Sequence, residues 1–403
     1  MVMERLIFHI DVNNAFLSWT AVDMLKNGSD LDIRTIPSII GGDEESRHGI
    51  VLAKSNIAKQ FGITTGEPIF FARKKCPQIK IFKMSREAYR KYSDALYNLF
   101  LEYTNKVERF SIDECFLDMT GMIMKNETAL EKAKEISTRI KEEFGFTVNI
   151  GIAPNKLLAK TASDFTKPDR IHTLYKEEIP IKMWILPVSE LLMVGRKSLP
   201  KLEKMGIKTI GDLAHFDEIR IINAFGKFGK MIWEFANGID NSEVNYQSEK
   251  PKGIGNSVTL SSDCHDIEKL EKVLLALTDE VTYRLRKECM LASVVTVELK
   301  NKDFKVTTHQ NKLSEATSST KIVFKEVKKL MNEMYHGEDI RLLGVRVDKL
   351  TDTQSEQISL FEENKDCKQE KLDNAIDKLK DKYGYTFIKR ATEVENKKNK
   401  NQK

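Results

Sequence analysis

No stretch of this 403-residue chain approaches the roughly 18 consecutive apolar residues that a membrane span needs. The opening run Met1–Phe8 leads into Asp11 and Asn13, too early for the apolar core of a secretory leader. Cysteine is sparse: Cys76, Cys115, Cys264, Cys289 and Cys367 are scattered, with no C-x-x-C pair. That excludes a structural zinc ribbon and a disulfide framework, and reads as reduced thiols in a cytoplasmic protein. Surplus charge is also lacking. The net charge is +5, and residues 365–403 hold 12 Lys/Arg against 7 Asp/Glu, which leaves 53 of each sign in the rest. Bulk charge therefore announces no nucleic-acid binder, and any such role must rest on local patches.

What is present is a chain of ordinary soluble composition, 41% hydrophobic and 31% charged, long enough for two to four domains. The run "RLIFHI", 5–10, reads as a strand buried on both faces and ending at Asp11. From 127 to 144, Ala129, Ala133, Ile136, Ile140 and Phe144 recur at steps of three and four, and Gly145 follows as a stop. "FTVNIGIA", 146–153, is the next strand. With 111–119 and the region around 79–83, these elements predict a β-α-β-β-α-β sheet layer with helices on one face. Short helices and glycines follow from about 175. "NSEVNYQSEKPK", 241–252, is polar and aperiodic, a linker. A second β-α-β-β-α-β unit runs from "NSVTL" to "IRLLGVRV". Residues 350–403 read as a polar, partly disordered tail with one amphipathic patch at 371–390.

Four stretches carry chemistry. "SIDECFLDMT", 111–120, sets Asp113 beside Glu114 in a strand-forming run. Strand alternation sends them to opposite faces, so they converge only where the strand ends or turns. With Asp11 at a neighbouring strand end, three carboxylates would form an oxygen-rich site suited to Mg²⁺; solvated acids at a hairpin turn are the competing reading. "GGDEES", 41–46, resembles a diguanylate cyclase signature, but its flanks supply no second cyclase element, so a polar glycine turn is the better reading. "VGRKSLPKLEKMGIKTIGDL" fits a helix-hairpin-helix. A glycine turn there would offer backbone N–H groups to a phosphate, near Lys197, Lys201, Lys204 and Lys208. "QISLF", Gln357–Phe361, reads as a docking peptide in the tail.

Taken together, "HIDVNNAF", "GIVLAKSNIAKQFGITTGEPI", "SIDECFLDMT", "GIAPNKLLAKTASDFTKPDRI", "FGKFGKMIWEFANGID" and "IRLLGVRV" resemble, in order, the motifs of the Y-family translesion DNA polymerases, bacterial and polymerase IV/V-like, over roughly 5–349. The resemblance implies an α+β multidomain right hand. Its palm is 1–14 with 85–174 and ferredoxin-like (β-α-β-β-α-β), and its small fingers are 15–84. The helical thumb with the helix-hairpin-helix is 175–240, the linker 241–252, the β-α-β-β-α-β little finger 253–349, and the tail 350–403. It implies low-fidelity, template-directed transfer of a dNTP to a primer 3′-OH past damaged bases, with two Mg²⁺ ions. Asp11, Asp113 and Glu114 fall on the family's catalytic, metal-binding carboxylates, and the Val12 carbonyl on a metal contact. Phe16 falls on the steric gate against ribose, and Lys167 on a triphosphate-binding lysine. "QISLF" is similar to the bacterial sliding-clamp peptide, with Ile358 where Leu is commoner. Partners implied are primer-template DNA, dNTP and the clamp, for a monomer active in the cytoplasm during the SOS response.

Three departures stand out. Asn56 and Lys59 replace a Tyr and an Arg of the fingers motif; Lys59 keeps the cation without the bidentate fork. Asn13 replaces an acid. The third is an absence: nothing resembles a proofreading exonuclease. The alternatives are a non-catalytic, clamp-tethered DNA-binding accessory of the same fold, and a palm-fold nucleotide cyclase. The intact acids argue against the first, and the helix-hairpin-helix against the second.

Overall fold

The computed structural model describes residues 5–42, 49–124, 127–247, 250–352 and 367–385. Residues 1–42 with 49–248 make one compact unit, and the chain from 249 onward makes another. No helix among the described residues is long and apolar enough to cross a membrane.

The strands of the first unit are β1 (Ile7–Val12), β2 (Ser38–Gly41), β3 (Val51–Lys54), β4 (Lys80–Lys83), β5 (Val107–Arg109), β6 (Glu114–Asp118), β7 (Val148–Ala153) and β8 (Ile171–Thr173). Five of them form one sheet in the order β5-β6-β1-β7-β8. β1 is central and antiparallel to both neighbours, and all six of its residues are buried, as an apolar run between two covered faces must be. The helices Arg86–Leu101 and Ala129–Phe144 complete the ferredoxin-like path. The second has a capping box between Thr128 and Glu131 and ends at Gly145 with φ 83°, the left-handed stop that only glycine takes freely.

Two expectations are corrected. The region around 79–83 does not join this sheet. β4 pairs in parallel with β2, in a separate three-stranded sheet of order β3-β2-β4. Nor are the helices confined to one face. Phe8, Ile10 and Val12 point into one core with Trp19, Tyr89 and Ile136. Ile7, Phe116 and Ala153 point into another with Leu158, Ala162 and the apolar residues of 179–236. The helix Lys156–Asp164 lies on this second face and crosses β7 at Gly151. A Cβ on Gly151 would stand 1.9 Å from the Ala159 carbonyl oxygen, so only glycine admits the helix this close.

The second unit has β9 (Gly253–Cys264), β10 (Met290–Asn301), β11 (Val306–Thr317) and β12 (Ile340–Asp352), antiparallel in the order β11-β10-β12-β9. The chain order is the expected β-α-β-β-α-β, with a sheet order unlike that of the first unit. The helices Ile267–Lys287 and Thr320–Met334 bury Leu274, Val281, Val323 and Val327 against the sheet.

The tail departs from the expected disorder in one part. Residues 367–383 form a helix whose inner side is ionic. Arg286 grips Asp377 at 2.6 Å, Lys380 pairs with Asp279, and Tyr283 donates to Asp381 at 2.5 Å. Asp373 and Lys380 are buried, whereas Leu372, Leu379 and Tyr383 are exposed. Gln357–Phe361 lies outside the described residues, as do residues 43–46 of "GGDEES".

Candidate active site

β6 begins at Glu114, and Asp113 belongs to the bend before it. The Phe110 and Ser111 amides both donate to the Glu114 carbonyl, at 2.9 and 3.2 Å, closing a tight turn. The two acids therefore escape strand alternation. Asp11 and Glu114 are direct partners across the β1–β6 ladder and share its face. The Val12 amide donates to the Asp113 carbonyl at 3.1 Å, which fixes the turn against the end of β1. Asp113 itself accepts from the Ser111 hydroxyl at 2.6 Å.

Like charges directly opposite in a sheet repel. Here each carries a lysine. Lys160 Nζ stands 2.6 Å from Glu114 Oε1, and Lys167 pairs with Asp11. Asp164 lies between the two cations, 3.6 Å from Lys160 and 2.9 Å from Lys167. The result is an alternating row: Glu114, Lys160, Asp164, Lys167, Asp11. The pair at its end is unevenly buried. Burial pushes the Asp11 carboxyl up to about 6; Lys167 opposes this, and Glu114 and Asp113 add to it. Burial also works against the charge of half-exposed Lys167, but Asp11 and Asp164 outweigh it, so the lysine is raised.

Asn13 explains its own departure from the acid. It is buried, donates from Nδ2 to Asn149 at 3.0 Å, and accepts from the Thr147 hydroxyl and the Asp169 amide, at 2.9 and 2.8 Å. Its amide ties the end of β1 to the segment carrying Lys167, and it does not serve the carboxylates. Phe16 is half-buried, on the helix Ala15–Lys26, with its ring 4.8 Å from that of Tyr89. Lys59 and Asn56 are exposed on the short helix Asn56–Gln60, capped by Ser55, and Lys59 makes no ion pair with the carboxylates. Lys54, not singled out in the sequence, lies near Lys59: burial and that neighbouring charge lower its pKa.

The helix-hairpin-helix needs refinement. The amides of Met205, Gly206 and Ile207 bond back into the preceding helix, and those of Lys208 and Thr209 bond to Asp212. That turn presents no free N–H row. Lys201 is spent on the Ala224 carbonyl, whereas Arg196 and Lys197 stand exposed beside Gly195 in a cleft closed by Phe225 and Phe228.

Comparison with known proteins decides what this geometry belongs to. Residues 10–164 match the impB/mucB/samB family, 251–360 its C-terminal domain, and 190–240 the thumb domain of DNA polymerase-iota. A DNA polymerase IV of Clostridium acetobutylicum is 49% identical over 394 residues, 98% of this chain and 99% of that protein. This chain belongs to the Y family of DNA polymerases. DNA polymerase IV 1 of Bacillus subtilis is 35% identical, covering 96% of this chain and 93% of its own. A solved chimera of the Y-family polymerases Dbh and Dpo4 superposes with a TM-score of 0.76 at 22% identity, over 86% of this chain and 99% of that one. The fold is thus the α+β right hand of that family.

Polymerases of this family are metal-dependent. The donors at the ends of β1 and β6 are all oxygens, the chemistry that Mg²⁺ takes. Burial and mutual repulsion leave Asp11 short of positive charge even with its lysine, which fits a site built for cations. Among the described residues no three acids stand close enough to hold an ion as they are placed, and two of the three carry lysines instead.

Proposed function

We propose that this polymerase copies DNA past damaged bases using Asp11, Asp113 and Glu114, with the Val12 carbonyl, as the ligands of two Mg²⁺ ions. Once bound, the ions would lower the pKa of the primer 3′-OH and offset charge on the departing pyrophosphate. The observation that carries the reading is the facing of Asp11 and Glu114 on one sheet face, with the Asp113 turn locked beside them. Lys167, half-exposed and held only by carboxylates, is placed to exchange Asp11 for a triphosphate. Lys59 and Lys54 offer further positive charge to the incoming nucleotide. Phe16 would pack under its sugar and exclude a ribose 2′-OH, and its contact with Tyr89 would hold the ring. Arg196 and Lys197 would hold DNA phosphates without reading sequence.

The domain boundaries given by the sequence are adopted: palm 1–14 and 85–174, fingers 15–84, thumb 175–240, little finger 253–349. In the little finger Arg346 is exposed and paired with Asp348 at 2.8 Å, and Arg341 lies over the Phe304 ring at 4.7 Å. Arg346 is the better candidate for DNA. The remaining particulars are proposed on resemblance: clamp binding through Gln357–Phe361, action as a monomer in the cytoplasm, and a place in the SOS response.

Primer extension by the purified chain tests the reading. Extension that requires Mg²⁺ and continues past a bulky guanine adduct supports it. DNA binding without extension on any template would leave the accessory reading standing.

A further inference from the structure

Glu114 is held from behind by Lys160, with the His9 ring beside it. Its Oε1 takes the Lys160 ammonium at 2.6 Å. Lys160 also supplies the carbonyl that accepts the Ser163 hydroxyl proton at 2.7 Å. The same hydroxyl oxygen stands 2.7 Å from His9 Nδ1, a contact whose donor depends on the tautomer of the ring. His9 Nε2, fully buried, stands 3.9 Å from the same Glu114 Oε1, beyond hydrogen-bond reach. That nitrogen has no hydrogen-bond partner among the described residues. Phe116 packs 4.6 Å from the imidazole, and the Phe110 ring lies 5.7 Å under the Lys160 ammonium. Glu114 Oε2 has no hydrogen-bond partner among the described residues.

The two lysines of the acidic row differ in what they can do. Lys167 is 40% exposed and pairs at its tip with two acids. Lys160 is 15% exposed and sits in the middle of a helix pressed onto β7 at Gly151, the residue facing His9 in the ladder. One cation is free to leave for a substrate; the other is built into the wall. Removing the built-in cation would leave Glu114 part-buried without a partner, and its side chain would turn towards water.

We propose that Lys160 is a positioning residue for nucleotidyl transfer: it pins Oε1 of Glu114 at the start of β6, so that Oε2 is presented to the acidic end of β1. The proposal rests on the polymerase reading above and adds to it a residue that contacts neither substrate nor primer. Small errors in such a carboxylate are costly, since misplacing a reacting group by an ångström lowers rates by about 10²-fold.

The test compares Lys160→Met, Lys160→Gln and Lys160→Arg in the full chain, by steady-state primer extension with Mg²⁺ and by crystallography. In the Met and Gln variants kcat should fall about 10- to 100-fold while KM for dNTP stays within about twofold, and Arg should recover part of the loss. Lys167→Met should instead raise KM. The crystal structure of Lys160→Gln should show the Glu114 carboxylate rotated from its place. A folded variant with kcat within about twofold of the parent overturns the proposal, and so does a Glu114 that has not moved. If the parent chain fails to extend primers at all, the polymerase reading fails, and the position of Glu114 in the variant crystal still decides whether Lys160 holds it.

Discussion

Asp11 and Glu114 face each other across the β1–β6 ladder, and each meets its own lysine, Lys167 and Lys160. A like-charged pair in a sheet is therefore held by charge supplied from one helix and the turn after it. The same arrangement makes a cation site that is already partly neutralised, and the neutralisation is unevenly shared: Lys160 is 15% exposed and Lys167 40%.

Burial pushes the Asp11 carboxyl up from its ordinary 3.8 to about 6. A raised folded pKa favours the protonated form, so this group's contribution to stability is complete below 3.8 and is lost as pH rises through about 6. Side-chain carboxyl NMR in a chelator should show that midpoint. Mg²⁺ favours the ionised form and should move the midpoint down. A midpoint near 4 without metal would remove the burial argument.

Lys167→Met should weaken triphosphate binding and push the Asp11 pKa higher, since Lys167 is what lowers it. Expected is a KM for dNTP raised about tenfold or more, as loss of a charge-assisted contact to phosphate produces. An unchanged KM would take Lys167 out of the nucleotide site.

Phe16→Ala carries two readouts. Ribonucleotide incorporation should rise, because nothing would then meet a 2′-OH. Stability should fall by about 2 kcal/mol, less than for a fully buried ring, because Phe16 is half-buried against Tyr89 and Trp19. A stability loss with unchanged sugar discrimination would make Phe16 an ordinary core residue.

Much of this was legible in the sequence, for reasons that are local. The uniform burial of β1 is written in "IFHIDV", and the helix Ala129–Phe144 is bounded by a capping box and a left-handed glycine. Spacing alone leaves the three carboxylates level with solvated acids at a turn, and the resemblance of the motifs singles them out; the need for a backbone break at 111–114 follows from alternation alone. What was not legible depends on distant contacts. Lys80–Lys83 looks like any short strand until β2 pairs with it. Lys160 looks like a solvated helix lysine until Gly151 lets its helix down onto the sheet, 46 residues from Glu114. The tail helix misleads by polarity: its leucines suggest a buried apolar face, but Leu372 and Leu379 are exposed, and Asp373, Asp377 and Lys380 are buried or half-buried along with Ile376.

That helix gives a stability prediction. Lys380 is 3% exposed in its pair with Asp279, so Lys380→Met takes the cation from a carboxylate that is itself only 13% exposed and leaves it neutral partners such as the Tyr385 hydroxyl. Breaking one partner of such a pair should cost about 3 kcal/mol, read as a lower midpoint in urea unfolding of the second unit. A change under about 0.5 kcal/mol would mean that the helix is only loosely docked.

The most direct test is single-turnover primer extension by Asp113→Ala beside the parent chain, on one primer-template with Mg²⁺. Asp113 lies in the surface bend and makes its side-chain hydrogen bond to Ser111, so its loss should leave the fold and DNA binding intact. The account predicts that extension by the variant is abolished while DNA is still bound as tightly. Extension at the parent rate would contradict it, because the carboxylates at the ends of β1 and β6 would then not be the centre of the chemistry.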